Sequence, residues 1–288
     1  EADPDYVPSE TDYITKVFPA EAHTASKVYG PLIIEGAPTE DRTLLAPVML
    51  PTESDPGPIE LEIVTDETEQ NDRVNIFNDT DVTGAAGYMT TTTLPDGTER
   101  LLVNGLGMGT GSVDFDESIA QDGSEIVSYA QGITMNNVEI VDVLLGAADD
   151  DFTVLATNTF SDNTVDLPIT AIHGGGGSDE ITVLGGGGPE SLLVIYGDTD
   201  TYGARYDYLG GAPTGGGLVF DGWEFPENHG DLIDASAIGT AGQLGLIIYG
   251  GIGKDTIIGS LGDDHIAGGG GDDDITALSG ADHVYGDT

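Results

Sequence analysis

Apolar residues in this chain recur in short alternating runs and never at helical spacing. Leu61, Ile63, Val74, Ile76 and Phe77 lead into a threonine-rich stretch, Thr90 to Thr93. Leu101-Leu102-Val103, Ile126-Val127, Val138-Glu139-Ile140-Val141 and Val143-Leu144-Leu145 follow. Each run is bounded by Gly, Asn or Asp, the punctuation of strands and turns. No amphipathic helix is legible, so the expected fold class is all-β. The first quarter differs: nine of the 14 prolines lie in residues 1–70, interrupted by the apolar patches Leu32-Ile33-Ile34, Leu44-Leu45 and Val48-Met49-Leu50. So many prolines exclude a helix, and the patches predict an extended arm with short strands that docks on its own body or on a neighbour.

The last third repeats every nine residues. From Gly250 the chain reads GGIGKDTII, GSLGDDHIA, GGGGDDDIT and ALSGADHVY. Gly253, Gly262, Gly271 and Gly280 hold the fourth place, Asp255, Asp264, Asp273 and Asp282 the sixth, and Ile257, Ile266, Ile275 and Val284 the eighth. Adjacent glycines let the backbone take positive φ and turn tightly. The triplet after the Asp is a very short strand with its middle side chain inward. Each nonapeptide is then half a turn of a flattened parallel β-solenoid, or β-roll. Residues 18 apart stack, Asp255 over Asp273 on one edge and Asp264 over Asp282 on the other. Such turns aim carbonyl and carboxylate oxygens at one spot, a donor set suited to several Ca²⁺ ions rather than Mg²⁺ or zinc.

The candidate metal-binding residues are therefore Asp255, Asp264, Asp273 and Asp282, with Gly251, Gly253, Gly262, Gly269, Gly271, Gly280, Asp263 and Asp272 around them. GGGGSDEIT at 174–182 adds Gly175, Gly177 and Asp179, and LGAADDDFT at 145–153 adds Asp150 with Ala148 in place of the glycine. Asp231, in HGDLIDAS, and Asp198 complete the set. GGGGPESLL at 185–193 places Glu190 where Asp belongs and is not counted. A single Ile or Val per strand makes a thin core, so folding and Ca²⁺ binding are expected to be one event. Extracellular calcium modules bind at about 10⁻⁴–10⁻³ M.

The nonapeptide GGxGxDx-apolar-x resembles the RTX, or haemolysin-type, calcium-binding repeat. Upstream phrases, "DRVNIFNDTD" from Asp72, "VNGLGMG" from Val103, "VEIVDVLLGAADDDFTV" from Val138 and "LVIYGDTD" from Leu193, are similar to tandem modules of giant secreted bacterial RTX proteins. The resemblance implies a secreted, extracellular scaffold at a bacterial surface or in a matrix, as an adhesin or biofilm component. The alternative it implies is the carrier tail of a secreted hydrolase whose catalytic domain lies elsewhere. The expected organisation is an arm over 1–70, an irregular β module over 71–145 and the calcium-binding roll over 146–288, with an insertion at about 198–229.

Charge sharpens this picture. Of 288 residues, 52 are Asp or Glu and 7 are Lys or Arg, a net charge of −45, with 34 Asp against 18 Glu and 44 Gly. Asp travelling with Gly marks turns and hard-cation ligands. The negative sheath argues against nucleic-acid partners, no apolar run predicts membrane insertion, and the absence of Cys excludes disulfides and thiolate sites. No HExxH or GxSxG motif is present, and no enzyme is expected. The chain begins at Glu1 without a signal pattern and stops at Gly286-Asp287-Thr288, one third into another unit, which reads as a piece of a longer array. Self-association is expected through the arm or the open end of the roll. Tyr202, Tyr206, Tyr208, Phe220, Trp223 and Phe225 read as the local core of the insertion or as a partner platform, and His265 and His283 are expected to stack on the outside of the roll.

Overall fold

The computed structural model describes residues 23–36, 43–44, 59–60, 71–116, 126–159, 167–198 and 230–287. Most of the expected arm, and the aromatic residues of the expected insertion, lie outside the described residues.

Among the described residues the protein is all-β, with one short helical turn at Ala25–Lys27 and no α-helix. The strands are β1 (Pro31–Glu35), β2 (Thr43–Leu44), β3 (Ile59–Glu60), β4 (Arg73–Phe77), β5 (Ala86–Thr93), β6 (Glu99–Gly105) and β7 (Ser112–Asp116). They continue with β8 (Ile126–Ala130), β9 (Gly132–Asn136), β10 (Ile140–Leu144), β11 (Asp151–Val154), β12 (Ile169–His173), β13 (Glu180–Val183) and β14 (Leu192–Tyr196). The last six are β15 (Leu232–Asp234), β16 (Leu244–Ile252), β17 (Thr256–Ile258), β18 (Asp263–Gly270), β19 (Asp274–Thr276) and β20 (His283–Asp287).

Two large sheets form. The first, of nine strands, runs β1-β9-β6-β5-β11-β13-β15-β17-β19; the second, of seven, runs β20-β18-β16-β14-β12-β10-β4. From β10 onward successive strands alternate between the two sheets, and from β12 onward each pairs in parallel with the strand two before it. Neither sheet closes on itself. Because β4 pairs with β10 and β5 with β11, both sheets run unbroken across the expected boundary at residue 145. The antiparallel set β5-β6-β9 and the arm strand β1 extend the nine-stranded sheet at its N-terminal end. The Leu32-Ile33-Ile34 patch of the arm thus docks on its own body, against β9.

The core lies between the sheets and is built by register. Phe152, Ile181, Ile233, Ile257 and Ile275 align across the first sheet. Ile76, Val143, Ile172, Ile195, Ile248, Ile266 and Val284 align across the second. Gly87 stands opposite Phe152, and a Cβ there would lie 3.0 Å from the ring, so the glycine makes room for the largest fully buried side chain. Phe152, Ile181, Ile233, Ile257, Ile248 and Ile266 are fully buried, but Ile275 is half-buried and Val284 is 45% exposed. The inward column expected through Val284 therefore ends at Ile266. The reason is topological: β19 and β20 have a neighbour on one side only. The core is also less thin than the repeat alone implies, since Met89, Leu106, Met108, Met135 and Leu145 join it upstream.

Candidate metal centre

From β10 onward, the described chain enters the nine-stranded sheet along one edge of the molecule, with Asp150, Asp179, Asp231, Asp255 and Asp273 just ahead of β11, β13, β15, β17 and β19. Asp150 accepts from the N–H groups of Ala85 and Gly146, and one oxygen of each later carboxylate accepts a hydrogen bond from the backbone N–H of the previous aspartate in the column. Asp150 N–H donates to Asp179 Oδ1 at 2.8 Å, Asp179 N–H to Asp231 Oδ1 at 2.8 Å, Asp231 N–H to Asp255 Oδ1 at 2.8 Å, and Asp255 N–H to Asp273 Oδ1 at 3.1 Å. The carboxylates take over the strand ladder where the chain turns and parallel pairing ends. Four of them are almost wholly buried: Asp150, Asp179, Asp231 and Asp255.

In Asp179, Asp255 and Asp273 the other oxygen lies against a first-place glycine, and in Asp231 against Gly197. A Cβ on Gly174 would lie 2.5 Å from Asp179 Oδ2, one on Gly250 2.4 Å from Asp255 Oδ2, and one on Gly268 2.3 Å from Asp273 Oδ2. The first glycine of the nonapeptide is thus required for space, whereas Gly251 and Gly269, with φ of 110° and 106°, are required for backbone conformation. Gly175, Gly177, Gly253, Gly271 and Gly280 also have positive φ, but Gly262 does not; there the close approach of Gly245 Cα, 2.9 Å from a built Cβ, demands the glycine. Carbonyl oxygens stack toward these glycines too: a Cβ on Gly269 would lie 2.1 Å from Gly251 O, and one on Gly271 1.6 Å from Gly253 O.

The opposite edge repeats the device once. Asp264 N–H donates to Asp282 Oδ1 at 3.0 Å, and Asp264 accepts from Leu246 N–H and Ser260 N–H, both at 2.7 Å. The pairs expected from the period, Asp255 with Asp273 and Asp264 with Asp282, are therefore brought together as expected, each 18 residues apart. Asp150, Asp179 and Asp231 join the first column despite irregular spacing. Asp198 is buried on the same edge, one turn from the repeat, and accepts from Ile252 N–H at 2.5 Å. Two candidates stand outside the columns: Asp272 is exposed, and Asp263 caps backbone at the surface, accepting from Ala281 N–H at 2.8 Å.

Burial pushes the Asp150 carboxyl above its ordinary value. The N–H groups of Ala85 and Gly146 oppose this, and the nearby charges of Asp81 and Asp149 add to it. A row of buried carboxylates is costly unless positive charge meets it, and a chain with 7 basic residues against 52 acids holds too few of its own. The donors are hard oxygens throughout, which fits Ca²⁺. Among the described residues no three His, Asp or Glu side chains gather as a metal-holding group. A cation here would accordingly draw on the stacked main-chain carbonyls of Gly251, Gly253 and Gly269 as well as the aspartates.

Sequence reading missed a cluster on the outer face of the seven-stranded sheet. Arg73 Nε donates to Asp142 Oδ2 at 2.6 Å, and His173 Nε2 lies 3.9 Å from Asp142 Oδ1. Burial alone would raise the Asp142 carboxyl, but His173 and Arg73 hold it below its ordinary value. Next to it the rings of His173 and Tyr196 stack at 4.6 Å and those of Tyr196 and Tyr249 at 5.2 Å. His265 and His283 stack as expected, at 6.5 Å. Nothing in the spacing of His173, Tyr196 and Tyr249 announces the row, because loops of unequal length separate the strands.

Parallel strands joined by glycine turns, with aspartates in columns along both edges, define a calcium-binding repeat protein. Residues 249–287 match the RTX calcium-binding nonapeptide repeat in four copies. Such repeats fit a calcium-binding module of a secreted protein. No curated protein and no solved structure matches the chain. Among the described residues, no helix is long and apolar enough to cross a membrane.

Proposed function

We propose that this chain is a calcium-stiffened β-roll serving as an extracellular structural module of a large bacterial surface, adhesin or biofilm-matrix protein, without catalytic activity of its own. The aspartate column running from Asp150 to Asp273 carries the reading. It extends the chemistry of the four C-terminal repeats over more than half of the parallel strands. Bound calcium would offset the repulsion among these carboxylates and tie adjacent turns together. Low intracellular calcium would leave the roll loose, and extracellular calcium would set it rigid. The open edges at β19 and β20 offer unpaired backbone for end-on association with a second copy. Calcium titration of the metal-free chain, followed by circular dichroism and calorimetry, tests the proposal. The expected result is a rise in β signal with uptake of several ions. A chelator-treated chain that kept its full β signal and melting temperature would refute it.

A further inference from the structure

Strands β14 and β16 pair in parallel, with Ile195 opposite Ile248 and Tyr196 opposite Tyr249. Ile195 and Ile248 are fully buried between the sheets, so alternation turns the two tyrosines to the other face. Both tyrosines are half-buried there. Their rings lie 5.2 Å apart between centroids and 8° apart in plane, the geometry of an offset-stacked pair. The two side chains leave parallel backbones in the same direction. Each ring edge therefore lies over the matching edge of the other, and the carbons ortho to the two hydroxyls are held as neighbours.

The surroundings restrict what each phenol can meet. His173, on the strand beyond β14, stacks at 4.6 Å and 12° on the face of Tyr196 turned away from Tyr249. On its own far side Tyr249 meets His265, at 6.4 Å and tilted by 59°. Tyr285 contacts that histidine and not Tyr249. Among the described residues, Tyr196 and Tyr249 are thus the two tyrosines whose rings stack on one another. Competing targets for an oxidant are few. The chain has no Cys, and Met89, Met108 and Met135 are buried in the core. A net charge of −45 holds separate chains apart, which favours reaction within one chain.

We propose that Tyr196 and Tyr249 form an oxidative cross-linking site, where a haem peroxidase acting with hydrogen peroxide joins the two rings as dityrosine. Each phenol gives up one electron and one proton, leaving a phenoxyl radical with unpaired spin on its ortho carbons. One ortho carbon of each ring bonds to the other. The hydrogen on each coupled carbon then moves to the phenol oxygen and restores both hydroxyls. The two electrons and two protons break the O–O bond of one hydrogen peroxide and give two waters. Rotation about χ1 and χ2, open to side chains at the surface of the sheet, closes the remaining gap between the rings. The product ties β14 to β16 by a bond that needs no metal. The inference rests on the register of these strands and is independent of the calcium reading.

Oxidation of the dilute full chain in calcium by a haem peroxidase and hydrogen peroxide tests it. The readouts are dityrosine fluorescence, gel mobility and mass spectrometry of the digested product. The expected product is a single chain, two hydrogens lighter, in which the peptide carrying Tyr196 is joined to the peptide carrying Tyr249. Tyr196→Phe and Tyr249→Phe keep the stacked rings but remove one phenol, and each should lose this link. Tyr29→Phe, at a ring 84% exposed, should leave it unchanged. Unfolding the chain in urea before oxidation should abolish it. Absence of dityrosine overturns the proposal, as does a link that maps to other tyrosines, joins two chains, or survives in either Tyr196→Phe or Tyr249→Phe. Mapping the link in the natural chain decides the matter even if a variant folds poorly.

Discussion

Gly250→Ala and Gly286→Ala alter the same place of the nonapeptide in opposite surroundings. At Gly250 the new methyl would lie 2.4 Å from Asp255 Oδ2 and 2.4 Å from Gly268 O, about 1 Å inside ordinary contact with both. Neither neighbour yields easily: Asp255 is fully buried and bonded to Asp231 N–H, and the other is backbone of the next turn. Overpacking of this kind costs about 1–3 kcal/mol. At Gly286 nothing lies within 4 Å of the built Cβ, and its φ is not in the left-handed region. Alanine there should be neutral or stabilise by about 0.4–1 kcal/mol through the unfolded chain. The two variants should therefore differ by roughly 1.5–4 kcal/mol, which for a body of this size is roughly 5–15 °C in melting temperature. The natural sequence already contains one such experiment, since Ala277 holds the first place of the fourth repeat. The assay is thermal unfolding in saturating calcium followed by circular dichroism, with calorimetry for calcium affinity. Gly250→Ala should lose affinity too, because the displaced carboxylate belongs to the column. Equal melting temperatures for the two variants would show that first-place glycines serve turn conformation alone and that the space argument is wrong.

Two further outcomes follow from the core and the outer face. Phe152→Ala should cost about 3–5 kcal/mol, measured by urea unfolding, because the ring is fully buried against the gap left by Gly87; a loss below about 1 kcal/mol would mean the core does little there. Asp142→Asn should cost about 1 kcal/mol at neutral pH, a figure kept low because the Arg73 side chain is 58% exposed. The folded-state carboxyl lies below its ordinary value of 3.8, so this stabilisation is present above that pH and disappears as pH falls through the lower folded value. A gap between the two proteins that stayed constant through the acid limb would refute the assignment.

The residue pattern alone settles what is local and periodic. Alternating apolar runs specified strands, and Gly, Asn and Asp specified where they stop. A strict period of nine predicted that Asp255 would meet Asp273 and Asp264 would meet Asp282. Equal spacing converts directly into stacking, so these contacts were legible without coordinates. Tertiary structure decided what unequal loops conceal. Asp150, Asp179 and Asp231 fall into one column with the repeat only because β11, β13 and β15 pair in register across intervals of 29 and 52 residues. The stack of His173, Tyr196 and Tyr249, the pairing of Arg73 with Asp142 and the exposure of Val284 were equally hidden. Each depends on which strands become neighbours and which remain at an edge. Strand pairing is a long-range choice made by burial of the whole sheet, and no window of sequence contains it.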